Sequence, residues 1–340
     1  FGGPDEATAS EMVYWRDVPS DAKFTSPYAK YGPDVKYLTF EPDEGGWNNL
    51  RMSMETATAL AHAMGRVLVL PPEQNIYLLG SGDRREHNRF TFKKFFPFDA
   101  ISSEHEAVEV ISMEEFLERE VVTGNLKHHS TGKVVFPPGN TTQFDGHGRT
   151  PEGKKLWGWL REVALKSTCD FSKGLYAFPK TPGPEGVGNM RAIFDSMNKE
   201  EQTHGLYKQY TDKPTPVDAG PEERLREMLA FRKEICLYDD HMQNAKVMHF
   251  MGDGGSGARM LVHFYAFLFF EDWRQDLWTK RYVRDHLRYI DEIQCAAARI
   301  VSAVQERARA YSGGGGGGGD GGDDGIGIFD TMHVRRGDFQ

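Results

Sequence analysis

The sequence lacks most of the short signatures that assign a chain to a common class of protein. Its three cysteines, Cys169, Cys236 and Cys295, form no Cys-x-x-Cys pair, which argues against a structural zinc site. Its glycine-rich turn at residues 45–51 is neither a Gly-x-Gly-x-x-Gly fingerprint nor a P-loop, so this turn supports neither NAD binding nor Walker-type nucleotide binding. It also has no Asp-x-Asp, His-Glu-x-x-His or Gly-x-Ser-x-Gly element, which argues against metal-dependent sugar-nucleotide, zincin and α/β-hydrolase sites.

The sequence also lacks an excess of positive charge and long apolar runs. The 41 Lys and Arg residues face 50 Asp and Glu residues, a net charge of −9, which argues against a nucleic-acid-binding groove. No apolar run reaches the ~18–20 residues that span a bilayer. Because Phe1 is not an initiator Met, we expect the natural protein to have an upstream segment, and we expect any membrane anchor only there.

The clearest local pattern is a strand–loop–helix–strand unit. Residues 35–40 and 67–70 have the apolar character of short buried strands, and residues 50–64 carry apolar side chains at helical spacing. Gly65 is the expected helix C-cap. Units of this kind build doubly wound parallel sheets, so the predicted fold class is α/β.

A second regular block begins near residue 245. The pattern predicts a strand over 246–250, in which His249 is a core residue with satisfied hydrogen bonds, and helices over 258–273 and 280–310. Stretches rich in Gly, Pro and Thr predict long loops over 129–155 and 177–190.

A glycine-rich turn at 45–51 reads Gly-Gly-Trp-Asn-Asn-Leu-Arg and lies between the first predicted strand and helix. Glycines let the backbone approach a ligand, and the start of a helix offers N–H groups to an anion. Asn48 and Asn49 are candidates to add amide donors there. The alternative is an ordinary βα turn in which an asparagine caps the helix.

A charged motif closes the chain, where residues 332–340 read Met-His-Val-Arg-Arg-Gly-Asp-Phe-Gln after an apolar run. On a strand, His333 and Arg335 point to the same face, and the guanidinium fork of Arg335 suits a diphosphate. Arg336 and Asp338 share the opposite face. Two alternatives remain, namely a structural Arg336–Asp338 ion pair and a solvated charged turn.

Together, the turn at 45–51, the following Gly-Arg-Val-Leu-Val-Leu-Pro-Pro at 65–72 and the closing motif resemble the GDP-fucose O-fucosyltransferase family. The similarity covers roughly residues 35–120 and 245–340. It implies a GT-B-like architecture, in which two Rossmann-like domains face a cleft and the C-terminal one is incomplete in this chain. The expected segments are an irregular lead-in (1–33), an N-terminal Rossmann-like domain with long loops (34–240), and a partial nucleotide-sugar-binding domain (241–340) with a disordered glycine-rich insert (312–327).

The resemblance also implies a reaction. Fucose would pass from GDP-fucose to a hydroxyl of a protein or glycan acceptor, with inversion and without a metal or other cofactor, in the lumen of the ER or Golgi. Arg335 would be the catalytic residue that holds the β-phosphate and assists departure of GDP. The residues implied in donor binding are Gly45, Gly46, Trp47, Asn48, Asn49, Arg51, His333, Arg336 and Asp338.

The sequence departs from the family pattern in two ways. Some family members place a glutamate, the candidate base, within the glycine-rich loop, roughly where Gly46 stands here; Glu41, Asp43 and Glu44 are nearby substitutes. Family members also continue past the closing motif, so we expect this chain to be a fragment. Two alternative functions remain: a rhamnosyltransferase-like enzyme using another nucleotide sugar, and a catalytically silent nucleotide-sugar-binding module.

Overall fold

A computed structural model describes residues 19–42, 46–75, 89–106, 108–138, 151–167, 169–197, 215–216, 218–229, 232, 234–252, 267–283, 287–312 and 331. The chain divides into two compact units. One is the continuous segment 17–288, and the other combines Phe1–Arg16 with Tyr289–Gln340. In the second unit the described secondary structure is a helix, Asp291–Ser312.

In chain order, the strands are β1 (Tyr37–Phe40), β2 (Val67–Val69), β3 (Gln74–Asn75), β4 (Arg89–Phe90), β5 (Val110–Ile111), β6 (Leu165–Lys166), β7 (Gly174–Phe178), β8 (Glu234–Leu237), β9 (Val247–Phe250) and β10 (Leu268–Phe270). The α-helices are α1 (Trp47–Ala63), α2 (Phe98–Glu104), α3 (Met113–Phe116), α4 (Pro151–Val163), α5 (Gly183–Ser196), α6 (Pro221–Leu229), α7 (Asp240–Asn244), α8 (Trp273–Arg281) and α9 (Asp291–Ser312). Short 3₁₀ turns lie at Pro19–Lys23, Gly32–Asp34 and Phe92–Lys94, and a π-helical turn at Leu117–Val122 continues α3.

A five-stranded parallel sheet organises the larger unit. Its order is β5-β2-β1-β9-β6, and all neighbouring strands are parallel. Every residue of β1, β2 and β9 is buried, as expected when helices cover both faces of a parallel sheet. The α/β class predicted from the sequence is therefore confirmed, and the parallel sheets are consistent with a Rossmann-like fold.

The predicted strand–loop–helix–strand unit is also confirmed. α1 buries most of its side chains, including Leu50, Met54 and Leu60, and it connects β1 to β2. Gly65 follows the helix with a φ of 60°, in the left-handed region that favours glycine. A Cβ there would overlap the backbone of Ala29, so both the conformation and the space require glycine.

The domain boundary predicted at 240/241 stays a prediction. β9 pairs with β1 from Tyr37↔Val247 to Phe40↔Phe250, so the strand that was expected to begin the C-terminal domain lies in the same sheet as the first strand. The two compact units meet in the sequence between residues 288 and 289. Apolar runs identified β1 and β9, but they carried no information about which strands pair.

The described residues also correct three predicted elements. The helix expected over 258–273 is, in its described part, the strand β10 followed by the start of α8, because Phe267–Phe270 is buried on both faces. The helix expected over 280–310 is divided, since residues 287–290 are not helical. The loop expected over 177–190 contains the end of β7 and the first turns of α5, where Pro184 occupies a position that tolerates proline.

A second parallel sheet has the order β10-β7-β8, and α5 and α6 cover one face of it. The Cys169–Cys236 disulfide joins β8 to the segment that precedes β7. The described part of the lead-in bonds to the end of α1 and to the residue after β7: Ser26 Oγ donates to the carbonyl of Ala63 (2.7 Å), and the Tyr28 hydroxyl donates to the carbonyl of Pro179. The described part of the segment predicted to be irregular is thus a packed part of the larger unit.

Candidate functional site

The topology of the five-stranded sheet singles out the carboxyl ends of β1 and β9. The chain leaves β1 through α1 to reach β2 on one side, whereas β9 lies on the other side of β1. Open α/β sheets bind ligands at such a switch point, outside the carboxyl ends of the strands. Glu41 follows β1 at this edge, and Met251 and Gly252 follow β9.

The carboxylate of Glu41 accepts four hydrogen bonds at this edge. Oε1 accepts from Arg161 Nε (2.6 Å) and His249 Nε2 (3.0 Å). Oε2 accepts from Arg161 Nη2 (2.6 Å) and the backbone N–H of Gly252 (3.2 Å). The Glu41 side chain is 8% exposed and that of Arg161 37%, so a buried carboxylate holds a partly exposed guanidinium in a bidentate pair.

These contacts determine the charge of Glu41. Burial by itself raises the pKa of this carboxyl, but the hydrogen bonds from His249 and Arg161 outweigh burial and lower its pKa from 4.5 to about 2. Glu41 is therefore ionised at neutral pH. A carboxylate this acidic, with both oxygens already bonded twice, is poorly suited to remove a proton from a hydroxyl.

His249 is the neutral partner of this network. It is fully buried, and burial lowers its pKa even though Glu41 opposes the shift. We assign the tautomer with the proton on Nε2, which donates to Glu41, while Nδ1 accepts from the hydroxyl of Thr39 (2.9 Å). The sequence-based interpretation of His249 as a satisfied core histidine is confirmed.

Arg161 reaches the site from α4, which packs on the sheet. The apolar face of the helix, including Leu156, Trp159 and Val163, joins Tyr37 and Val69 in one hydrophobic cluster. Helical side chains point toward the N-terminal end of their helix, and this direction brings the Arg161 guanidinium to the carboxyl edge of β1.

The turn predicted to bind the donor lies where β1 leads into α1. Gly46 is the N-cap residue of α1 in an extended conformation and makes no side-chain cap bond. Asn48 and Asn49 are exposed in the first helical turn, so neither asparagine is the N-cap. Arg51 forms an ion pair with Glu55 one turn later and is partly exposed.

Trp47 packs its ring among aromatic side chains. Its ring centroid lies 4.0 Å from that of Phe95 and 5.4 Å from that of Phe90, and Phe92 and Phe96 are also within reach. The tryptophan therefore fixes the start of α1 against this aromatic cluster. Any contact of Trp47 with a donor remains a prediction.

The other predicted site residues lie outside the described residues. They are Gly45, His333, Arg335, Arg336 and Asp338, together with the candidate bases Asp43 and Glu44. Sequence reasoning missed Arg161. The apolar pattern around it indicates a helix, but no local signal identifies a carboxylate 120 residues earlier as its partner.

Three further observations concern a cavity, metal ions and membrane-spanning helices. A cavity of about 730 Å³ opens near Val35, Arg66 and Glu109, at the amino-terminal edge of the sheet and therefore opposite the switch point. Among the described residues, no group of three His, Cys, Asp or Glu side chains is arranged to hold a metal ion. No described helix combines the length and apolar character needed to cross a bilayer.

Comparison with known proteins identifies the family. A family model described as GDP-fucose protein O-fucosyltransferase matches residues 37–340, which include the turn at 45–51 and the closing motif. No curated protein and no solved structure matched the chain. Since the family model spans most of the sequence, the chain belongs to the GDP-fucose protein O-fucosyltransferase family, whose domain indicates a fucosyltransferase and hence a glycosyltransferase.

Proposed function

We propose that this protein transfers fucose from GDP-fucose to a hydroxyl of a protein acceptor, with inversion at the anomeric carbon and without a metal ion. The observation that carries the proposal is the single family match across residues 37–340, which contains both motifs expected to bind the donor. A GT-B arrangement of two Rossmann-like domains facing a cleft would bring these motifs to one donor.

The proposed role of Arg335 follows from electrostatics. Cleavage of the sugar–phosphate bond builds negative charge on the departing GDP. A fixed guanidinium at the β-phosphate stabilises that charge more in the transition state than in the ground state. His333, Arg336 and Asp338 would contact the nucleotide beside Arg335.

The opposite side of the donor site would come from the glycine-rich turn. Gly45, Gly46 and Trp47 would line it mainly with backbone, and Asn48, Asn49 and Arg51 would contribute polar side chains. The exposure of both asparagines in the first turn of α1 supports this assignment.

The catalytic base is proposed to be Asp43 or Glu44 rather than Glu41. An acceptor hydroxyl needs a carboxylate with a free oxygen and a pKa close to the working pH. Glu41 fails both conditions, because its oxygens accept four hydrogen bonds and its pKa is about 2.

The proposed location is the lumen of the secretory pathway. The Cys169–Cys236 disulfide supports it, because disulfides persist in oxidising compartments and are rare in the cytosol.

Substitution of Arg335 tests the function. We expect Arg335→Ala to lower fucose transfer by at least ~100–1000-fold, the typical cost of losing one transition-state contact. Arg309→Ala, which removes an exposed arginine of α9, is the matched control and should retain wild-type turnover. Unchanged turnover in Arg335→Ala would refute the assigned role.

Calorimetry tests the donor. The wild-type protein should bind GDP more tightly than UDP, with equal affinity in the presence and absence of EDTA. Tighter binding of UDP would favour the other nucleotide-sugar enzyme. Binding of GDP without turnover over a broad panel of acceptors would favour the silent binding module.

A further inference from the structure

Glu41 contacts a helix and a neighbouring strand at the switch point. Its carboxylate bonds to Arg161 on α4, to His249 on β9 and to the backbone of Gly252, which begins the next loop. Its own backbone N–H donates to the carbonyl of Phe250 (2.9 Å). One residue therefore connects the carboxyl end of β1, the carboxyl end of β9, and a helix on the sheet.

The fit around Glu41 is tight. A Cβ at Gly252 would lie 3.0 Å from the Cβ of Glu41 and 3.0 Å from the carbonyl oxygen of Pro42. Gly252, which follows β9, is thus packed against Glu41 and Pro42, which follow β1. A displacement of Glu41 would disturb Gly252, because the contact between them leaves no room for adjustment.

Stability alone is a weak reason for this arrangement. Burial of a carboxylate–guanidinium pair costs desolvation, and well-packed apolar side chains of similar volume are often as stable or more stable. An ion pair with a bidentate geometry does, however, define the position and orientation of its members closely.

We propose that Glu41 is a positioning residue of the transfer reaction, which through Arg161, His249 and Gly252 holds the carboxyl ends of β1 and β9 and the helix α4 in a fixed relative position. The inference rests on the proposed function, because it places the sugar-transfer site at this edge. It assigns Glu41 no proton transfer and no direct contact with the substrate.

The main test is Glu41→Gln in the active enzyme. Glutamine keeps the size of the side chain, but its amide NH₂ faces donors from Arg161 or Gly252. We expect kcat to fall about 10- to 100-fold, since misplacement by ~1 Å has effects of this size, while the Kd for GDP stays within about threefold. Glu41→Asp should lower kcat too, because the shorter side chain cannot reach all its partners.

Glu120→Gln is the matched control. Glu120 is another buried carboxylate; it accepts a hydrogen bond from the Tyr37 hydroxyl (2.7 Å) and pairs with Lys246 at the start of β1, away from the switch point. If Glu41 is only structural, the two variants will lose similar thermal stability and keep similar kcat, which would overturn the inference. We expect a comparable loss of stability but a loss of kcat in Glu41→Gln alone.

Arg161→Met provides a second readout. Without the guanidinium, the pKa of Glu41 rises, so a new acid limb should appear in the pH profile of kcat between about pH 4 and 6. The double variant Glu41→Gln/Arg161→Met should be no slower than the slower single variant, because both changes break one connection. If the two substitutions lower kcat additively and the pH profile of Arg161→Met is unchanged, the proposed coupling between Glu41 and Arg161 is refuted.

The proposed function and this inference fail in different ways. A wild-type enzyme that binds GDP but transfers no fucose would refute the proposed function and remove the basis of the inference. A wild-type enzyme that is active and loses activity in Arg335→Ala, but not in Glu41→Gln, would refute the inference alone.

Discussion

Removal of the Cys169–Cys236 disulfide is expected to destabilise the larger unit without unfolding it. The bridge joins residues 67 positions apart, and it ties β8, the edge strand of the three-stranded sheet, to the segment before β7. Cys169 is 4% exposed, and the sulfurs pack against Gly174 at the start of β7. The bridge thus restrains the edge strand as well as the unfolded chain.

The number of residues between the two cysteines gives the size of the expected destabilisation. For a closed loop of this size, the chain-entropy model predicts a stabilisation of about 4 kcal/mol relative to the open chain. The larger unit, residues 17–288, has 272 residues, and for this size 1 kcal/mol shifts Tm by about 2 °C, so the loss corresponds to a fall of about 8 °C. Cys169→Ser/Cys236→Ser is the appropriate variant, because a single substitution would leave a new free thiol.

Thermal denaturation followed by circular dichroism measures this effect. Cys295→Ser is the control, because Cys295 is a free, half-buried cysteine on α9, and its Tm should remain within about 2 °C of the wild type. In the double variant, amide hydrogen exchange should accelerate first in β8.

Thiol labelling checks that Cys169 and Cys236 form a disulfide. Mass spectrometry of unreduced, denatured protein should show one alkylated cysteine, Cys295, and reduction should raise the number to three. Three labels before reduction would contradict the disulfide. A double variant that keeps the wild-type Tm would contradict the energetic argument.

Three further predictions concern single residues. Gly65→Ala should destabilise the protein by more than about 2 kcal/mol in urea unfolding, because alanine disfavours the positive φ and its Cβ would overlap Ala29. Arg66→Ala should lower the free energy of unfolding by about 3 kcal/mol, since the buried Arg66 guanidinium donates to three backbone carbonyls and to the Tyr238 hydroxyl. Arg66→Lys should lose less stability than Arg66→Ala but remain less stable than the wild type. Because folding lowers the pKa of Glu41 to about 2, the folded protein is about 3 kcal/mol more stable with Glu41 ionised than with Glu41 protonated, and this difference should be complete above pH ~4.5 and disappear as pH falls through 2. Urea unfolding at several pH values should show a shallower acid dependence for Glu41→Gln than for the wild type. Equal slopes would refute the assigned pKa.

Local patterns in the sequence identified the first βαβ unit correctly. Leu50, Met54 and Leu60 recur at helical spacing, and Gly65 follows them, so α1 and its C-cap could be predicted from neighbouring residues alone. Apolar runs identified β1, β2 and β9 for the same reason. The apolar run at Phe267–Phe270 was wrongly predicted as part of a helix, because a short run buried on all sides has the same composition in a helix and in a strand.

The candidate site could be predicted only in part. The glycine-rich turn was visible because glycine and asparagine have strong local preferences. The partnership of Glu41 and Arg161 was not, because it depends on the pairing of β1 with β9 and on the packing of α4 across them. The disulfide was invisible for the same reason, since spacing alone does not show which cysteines meet.

The sequence by itself determined the family, because the two motifs lie in one match across residues 37–340, and it determined the α/β class through local periodicity. Only the tertiary structure decided that β9 stands beside β1, and that Glu41 is an ionised link between Arg161 and His249 rather than an available base. The physical reason is that motifs and periodicity are properties of neighbouring residues. Strand order, burial and pKa depend instead on residues far apart in the chain that folding brings into contact.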